Sequence, residues 1–108
     1  MALPVAALQI LITLADADRH GYAIMQDVAD RTDGAVRLGP GTLYGTIKRL
    51  LQDGLIQELD ARSHPADDER RRYYRITARG RRAAAEEIRT LATLVRQARA
   101  TGLVVKPS

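Results

Sequence analysis

The chain has 108 residues, and 45% of them are hydrophobic, which is enough for one domain with its own core and excludes a disordered tail. It contains no Cys, so a disulfide scaffold, a thiol nucleophile and thiolate metal sites are excluded. Only 4% of the residues are aromatic, so the core is expected to be aliphatic, and the formal net charge of +4 makes the chain basic.

The N-terminal part of the chain predicts two helices. Residues 3–15 carry apolar side chains at a helical spacing wide enough for a nearly buried helix, and residues 21–32 show a second apolar face. Residues 16–21 between them predict a polar break, in which His20 is expected either to cap the second helix or to be a turn residue. Residues 35–38 are short enough to form either a strand or extended chain.

A third helix and a hairpin are predicted next. The third helix is expected over residues 39–53, because it opens on a Gly-Pro-Gly loop and ends before Gly54. Residues 55–60 are a short strand candidate, and residues 72–76, which are rich in β-forming side chains, predict a second strand. The polar stretch between the strands makes them a hairpin with a long tip.

The last predicted helix starts after Thr77, a good N-cap residue, and apart from Gly80 in its first turn it meets no helix breaker until Gly102. Its apolar residues follow one another at intervals of four and three, which is the spacing of a helix-pairing seam. The alternative is that this seam completes the core of its own domain. The residues predicted to form a homodimer interface are Ala84, Ile88, Leu91, Val95 and Ala98.

This order of elements is that of a winged helix-turn-helix. The expected fold class is therefore mostly α with a small β-hairpin, followed by a long C-terminal helix. We expect residues 1–77 to form the winged helix-turn-helix DNA-binding domain, residues 78–102 to form the dimerisation helix, and residues 103–108 to be a loosely ordered tail.

The third helix is apolar on one side only. Leu43, Ile47 and Leu50 lie within about 60° of one another around the helix axis. The opposite face has two cations and no acid, which suits the major groove of DNA, and the first backbone N–H groups of the helix suit a phosphate. Ordinary surface exposure of these side chains is the competing interpretation. The residues of the first three helices predicted to contact DNA are Tyr22, Gly41, Thr42, Tyr44, Lys48 and Arg49, and Gly45 and Gln52 share the outward face.

Most of the positive charge is concentrated in one segment. Residues 70–82 contain seven Arg and no acidic residue. Because the Arg guanidinium matches the geometry of a phosphate, the segment predicts contacts with the DNA backbone. The competing interpretation pairs these Arg with the acidic stretch 61–69 and with two Glu of the last helix. The wing residues predicted to contact DNA are Arg70, Arg71 and Arg72.

Five short motifs occur in one order along the chain. They are His20-Gly21-Tyr22, Gly41-Thr42-Leu43-Tyr44, Arg49-Leu50 with Gly54-Leu55-Ile56, Tyr73-Tyr74-Arg75-Ile76-Thr77, and Gly80-Arg81. In this order the chain resembles PadR-type transcriptional regulators of the subgroup with a single C-terminal helix. The resemblance implies a dimeric repressor that leaves DNA when a small molecule or another signal arrives. The chain departs from the family pattern at Gly45, where Pro is frequent, and in having no Trp to stack a flat effector.

Other classes of protein are disfavoured. The longest apolar stretch is shorter than the roughly 20 residues of a membrane span, and the features of a signal peptide are missing. We therefore expect a cytoplasmic protein without a membrane partner. No acid–base pair stands at useful spacing beside either His, so neither an enzyme nor a cofactor is expected.

The favoured hypothesis is a homodimeric regulator, most simply a repressor, that binds an inverted-repeat operator in double-stranded DNA and responds to a small-molecule effector or another signal. The alternative is a winged-helix adaptor that binds proteins and has no specific DNA site. The two hypotheses differ in what the third helix and the wing expose. A DNA-binding protein exposes cations there, whereas an adaptor exposes an apolar patch.

Overall fold

The computed structural model describes residues 2–59 and 72–103. Within these ranges the chain forms four helices and a small antiparallel sheet, which confirms the predicted fold class. The elements in chain order are α1 (Val5–Asp16), β1 (Arg19–His20), α2 (Gly21–Arg31), α3 (Pro40–Gln52), β2 (Ile56–Glu58), β3 (Tyr73–Ile76) and α4 (Ala78–Ala100).

The helices begin and end close to the predicted positions because their end signals are local. The α3 helix stops where Gly54 adopts a φ of 72°, a left-handed conformation that glycine adopts without strain. The α4 helix starts where the Thr77 hydroxyl accepts a hydrogen bond from the backbone N–H of Gly80 at 3.0 Å. The α2 helix is capped by His20, as predicted, since its Nδ1 accepts from the N–H of Ala23 at 3.1 Å.

The sheet contains a strand that the sequence does not predict. Residues 16–21 were expected to be only a polar break, but Arg19 and His20 pair antiparallel with β3. The sheet therefore has three strands in the order β1-β3-β2 instead of the two strands of a simple hairpin. A two-residue strand is too short to show alternating polarity, so only its pairing with β3 reveals it. Residues 35–38 take the extended alternative and form no strand.

The core is aliphatic, as the composition predicts, and α1 lies at its centre. Its residues Ile10 and Leu11 are fully buried and pack with apolar side chains of α2 and α3. Tyr74 of β3 brings the one aromatic side chain that is buried in the described core. Burial of this apolar surface fixes the arrangement of α1, α2 and α3, and therefore the direction in which α3 faces solvent.

A polar network joins α1 to α2. The hydroxyl of Thr13 is fully buried and donates a hydrogen bond to the carboxylate of Asp27. Arg31 donates to Asp27 at 2.5 Å and to Asp16 at 2.8 Å, and Arg19 donates to Asp16 at 3.0 Å. Burial by itself raises the pKa of Asp27, but the hydrogen bonds from Thr13 and Arg31 lower that pKa overall. The carboxylate is therefore ionised at neutral pH and holds the two helices in one orientation.

Among the described residues, it is the first part of α4 that packs against the rest of the fold. Gly80 and Ala84 are buried, whereas most of the helix from Ile88 onward is exposed. Ala84 is 8% exposed and belongs to the core of its own chain. Ala84 therefore packs within its own chain, and its predicted contribution to an interface with a partner stays a prediction. The same face of α4 packs on the core near Ala84 and is exposed from Ile88 onward.

Candidate nucleic-acid interface

The α3 helix presents the polar face that its sequence predicts. Leu43, Ile47 and Leu50 are buried against the core. This orientation leaves the opposite side of the helix open to solvent along its whole length. The exposed residues on that side are Gly41, Thr42, Tyr44, Gly45, Lys48, Arg49 and Gln52. An open helical face with two cations and no acid is the arrangement that enters a major groove.

The first turn of α3 is suited to an anion. Its N-cap residue, Gly39, has no side chain with which to cap the helix, and Pro40 at the first position has no N–H. The first intrahelical bond runs from the N–H of Leu43 to the carbonyl of Gly39 at 2.8 Å. The N–H groups of Gly41 and Thr42 precede that bond and point out of the helix end. The first turn contains no acidic side chain, so the predicted phosphate contact at Gly41 and Thr42 is geometrically open.

Two tyrosines extend this surface. Tyr44 on α3 is 53% exposed, and its ring lies against Gly21 at the start of α2. Tyr22 is the next residue of α2, is also exposed, and its hydroxyl accepts a hydrogen bond from the side chain of Gln26 at 3.0 Å. Both phenol groups are therefore available to a ligand as donors or acceptors. The structure leaves Tyr22 and Tyr44 exposed, as the predicted DNA contact requires.

The Arg-rich segment divides into residues with different surroundings. Arg70 and Arg71 lie outside the described residues. Arg72 is 72% exposed, and its Nε lies 3.4 Å from the carboxylate of Glu58 on β2. Because an exposed pair at that distance is weak, Arg72 remains available to a phosphate.

Arg75, in contrast, is engaged within the fold. Its guanidinium donates to both carboxylate oxygens of Asp18, with the shortest distance 2.7 Å. These hydrogen bonds and the charge of Asp18 raise the pKa of Arg75. From the sequence, any intramolecular partner of these Arg was expected in the acidic stretch 61–69 or on the last helix, and Asp18 was not predicted. The signal that identifies it is β1, which places Asp18 beside β3 and which the sequence does not predict.

The exposed part of α4 carries an apolar strip, the α4 strip, which consists of Ile88, Leu91, Leu94 and Val95. These side chains lie within about 120° of one another around the helix. Leu91, near the middle of the strip, is 41% exposed. Leu94 was not among the predicted interface residues, and Ala98 at the far end is half-buried. The strip is the continuation of the face that Ala84 packs into the core.

Across residues 2–59 and 72–103, no group of three or more His, Asp or Glu side chains is placed to hold a metal ion. None of the helices in these two ranges has the length and apolarity needed to cross a membrane.

The three packed helices, the small sheet beside them and the open face of α3 define a winged helix-turn-helix protein. A family profile described as "Transcriptional regulator PadR-like family" matches residues 10–86. The chain belongs to the PadR-like family of transcriptional regulators, which confirms the family resemblance of its motifs. Because members of this family are regulators, the prediction of a regulator instead of an enzyme is also confirmed.

Individual relatives agree with this assignment. The chain is 39% identical over 90 residues to "Transcriptional regulator Rv3488" of Mycobacterium tuberculosis, and the match covers 83% of this chain and 78% of the relative. A transcriptional regulator from Clostridium thermocellum superposes with a TM-score of 0.74 at 26% identity, covering 94% of this chain and 90% of the other. A PadR family regulator from Clostridium difficile R20291 shares the fold with a TM-score of 0.75 at 23% identity, covering 91% and 98%.

Proposed function

We propose that the protein is a homodimeric, sequence-specific DNA-binding repressor. The observation that carries the proposal is the open face of α3, on which Lys48 and Arg49 stand beside neutral hydrogen-bonding groups and no acid. A face of this kind reads base edges in the major groove, while the first turn of the helix contacts a phosphate. Membership of the PadR-like family supports the same function.

Dimerisation is supported by the α4 strip. Exposure of four large apolar side chains on one helix face costs free energy. The same strip on a second copy of the helix can bury them in a two-fold symmetric contact. Two-fold symmetry then presents two copies of α3 to the DNA. We therefore expect an inverted-repeat operator whose half-sites are separated by roughly 10 base pairs or a multiple of that distance.

The adaptor alternative is disfavoured by the distribution of exposed apolar side chains. Among the described residues, the exposed large aliphatic side chains are those of the α4 strip, Val5 and Leu103. None of them lies on α3 or on the described strands of the hairpin. The surface that an adaptor would use to bind a protein is thus polar and cationic, which favours a polyanion as its ligand.

Membership of the PadR-like family supports a role in regulating transcription. A dimer that occupies an operator through two α3 helices blocks access to that DNA, so repression is the simplest consequence. Release by a small molecule or another signal is the mechanism that the resemblance implies. A groove between the start of α1 and α3, lined by Pro4, Leu50 and Arg49 among others, offers a small molecule a place directly beside the DNA face.

Replacing Lys48 by alanine tests the function of the α3 face. The probe is the tightest duplex that the native protein selects from a random DNA pool. Because Lys48 is exposed, Lys48→Ala is expected to leave the fold intact and to weaken binding to that duplex by about tenfold. Binding to a scrambled duplex at the same salt concentration should fall much less.

Arg96→Ala is the matched control for Lys48→Ala, since it removes the same charge from an exposed position on α4. It is expected to change binding to both duplexes only slightly. Equal losses of Lys48→Ala on the selected and the scrambled duplex would show that α3 only positions the protein and that specificity arises elsewhere.

Arg72 is predicted to contact a phosphate and no base. Arg72→Ala should weaken binding to all duplexes about equally and reduce the slope of log affinity against log salt by about one unit. Arg75→Ala is the control variant. Because Arg75 is already bound to Asp18, its replacement should leave the salt slope unchanged. Titrations at four or more salt concentrations measure both slopes. If Arg72→Ala has the same salt slope as the native protein, Arg72 pairs with Glu58 and does not contact a phosphate.

A further inference from the structure

Gly21, at the start of α2, is a buried glycine whose backbone does not need to be glycine. Among the described residues, the glycines with a positive φ are Gly34, Gly54 and Gly102. The backbone of Gly21 is therefore in a region that any residue adopts. Glycine is therefore needed here because a side chain would occupy space that another group fills, and not because of its backbone conformation.

That space is occupied by the ring of Tyr44. A Cβ atom at position 21 would lie 2.6 Å from the Tyr44 hydroxyl oxygen and 3.0 Å from each of the ring atoms Cε1 and Cζ. These three are the nearest atoms, and all belong to the outer end of one side chain. Gly21 thus forms a notch in the first turn of α2 into which the phenol of Tyr44 fits.

We propose that Gly21 is a positioning residue for Tyr44, and this inference rests on the DNA-binding function proposed above. Tyr44 is half exposed on the open face of α3, so its ring would sample several rotamers if no packing contact restricted it. The notch holds the ring in one of them and places its hydroxyl against the first turn of α2. A side chain that is already ordered loses less entropy when it contacts DNA.

Substitution of Gly21 by alanine is expected to displace the Tyr44 ring without disturbing the fold. In Gly21→Ala the added methyl group meets the end of a flexible side chain, not backbone, so the ring can swing toward solvent while the fold remains. We expect this variant to retain its melting temperature but to bind the selected duplex about tenfold more weakly, as if part of the Tyr44 contact were lost. The loss should depend on Tyr44.

The experiment is a double-mutant cycle combined with NMR of the free dimer. Gly21→Ala is expected to shift the ring signals of Tyr44 in the absence of DNA, and Gly39→Ala, whose added Cβ meets nothing within 4 Å, to leave them in place. In a Tyr44→Ala background, Gly21→Ala should change affinity for the selected duplex by less than about twofold. In a Tyr44→Phe background the closest clashing atom is gone, so the ring should stay near its native position.

Two results would overturn the inference: unchanged Tyr44 ring signals in Gly21→Ala, or an affinity loss of the same size with and without Tyr44. The second result would mean that Gly21 acts through α2 itself. If the native protein selects no duplex from the random pool, the DNA-binding proposal fails instead, and the ring signals alone decide whether Gly21 positions Tyr44.

Discussion

Gly80→Ala is expected to destabilise the protein by about 3 kcal/mol or more. A Cβ at this position would lie 2.0 Å from the carbonyl oxygen of Leu55 and 2.9 Å from a side-chain carbon of Ile76. The oxygen is backbone and already accepts a hydrogen bond from the N–H of Thr77 at 3.1 Å. To relieve the clash, the start of α4 must move away from the sheet, and this hydrogen bond is strained or lost.

Thermal unfolding at a fixed protein concentration measures this effect, because the dimerisation proposed above would make stability depend on concentration. The melting temperature of Gly80→Ala should fall by roughly 10–20 °C. Gly45→Ala is the matched control, since Gly45 lies inside α3 and a Cβ there meets nothing within 4 Å. It should stabilise the protein by up to about 1 kcal/mol. Equal melting temperatures for the two variants would contradict the close approach of α4 to the backbone of Leu55.

Leu91→Asp is expected to convert the protein into monomers. If two copies of the α4 strip cover one another, each copy of the variant buries an unpaired carboxylate near the two-fold axis. We expect the dimer to weaken by at least about 100-fold, which corresponds to about 3 kcal/mol. Sedimentation velocity across a range of concentrations measures the change. Since Leu91 is 41% exposed in the single chain, the helical signal in circular dichroism should persist.

Thr93→Asp provides the matched control for Leu91→Asp. It introduces the same charge two residues further along, on the side of α4 opposite the strip, where Arg89 and Arg96 flank the position. This variant should remain a dimer. If Leu91→Asp sediments like the native protein, the α4 strip is not the interface, and the inverted-repeat geometry proposed for the operator loses its basis.

Local sequence features, namely apolar spacing and helix-end residues, predicted most of the fold. The apolar spacing in α1, α2 and α3 places each helix within two residues of its observed ends. The end signals at Gly54 and Thr77 are side-chain or backbone effects that need no distant partner, so they can be identified in the sequence alone. The outward face of α3 was predicted for the same reason, because a helix that buries Leu43 and Ile47 must expose the opposite side.

By itself, the sequence determined the order of the helices, the aliphatic core, the polar face of α3 and the family to which the chain belongs. These depend on periodicity, composition and short motifs, all of which are local. Only the tertiary structure decided that β1 joins the sheet, that Arg75 is bound to Asp18, that Ala84 is core, and that Gly21 receives Tyr44. Each of these depends on contact between segments that are distant in sequence. The packing of the core determines which segments meet, and no local pattern encodes that packing.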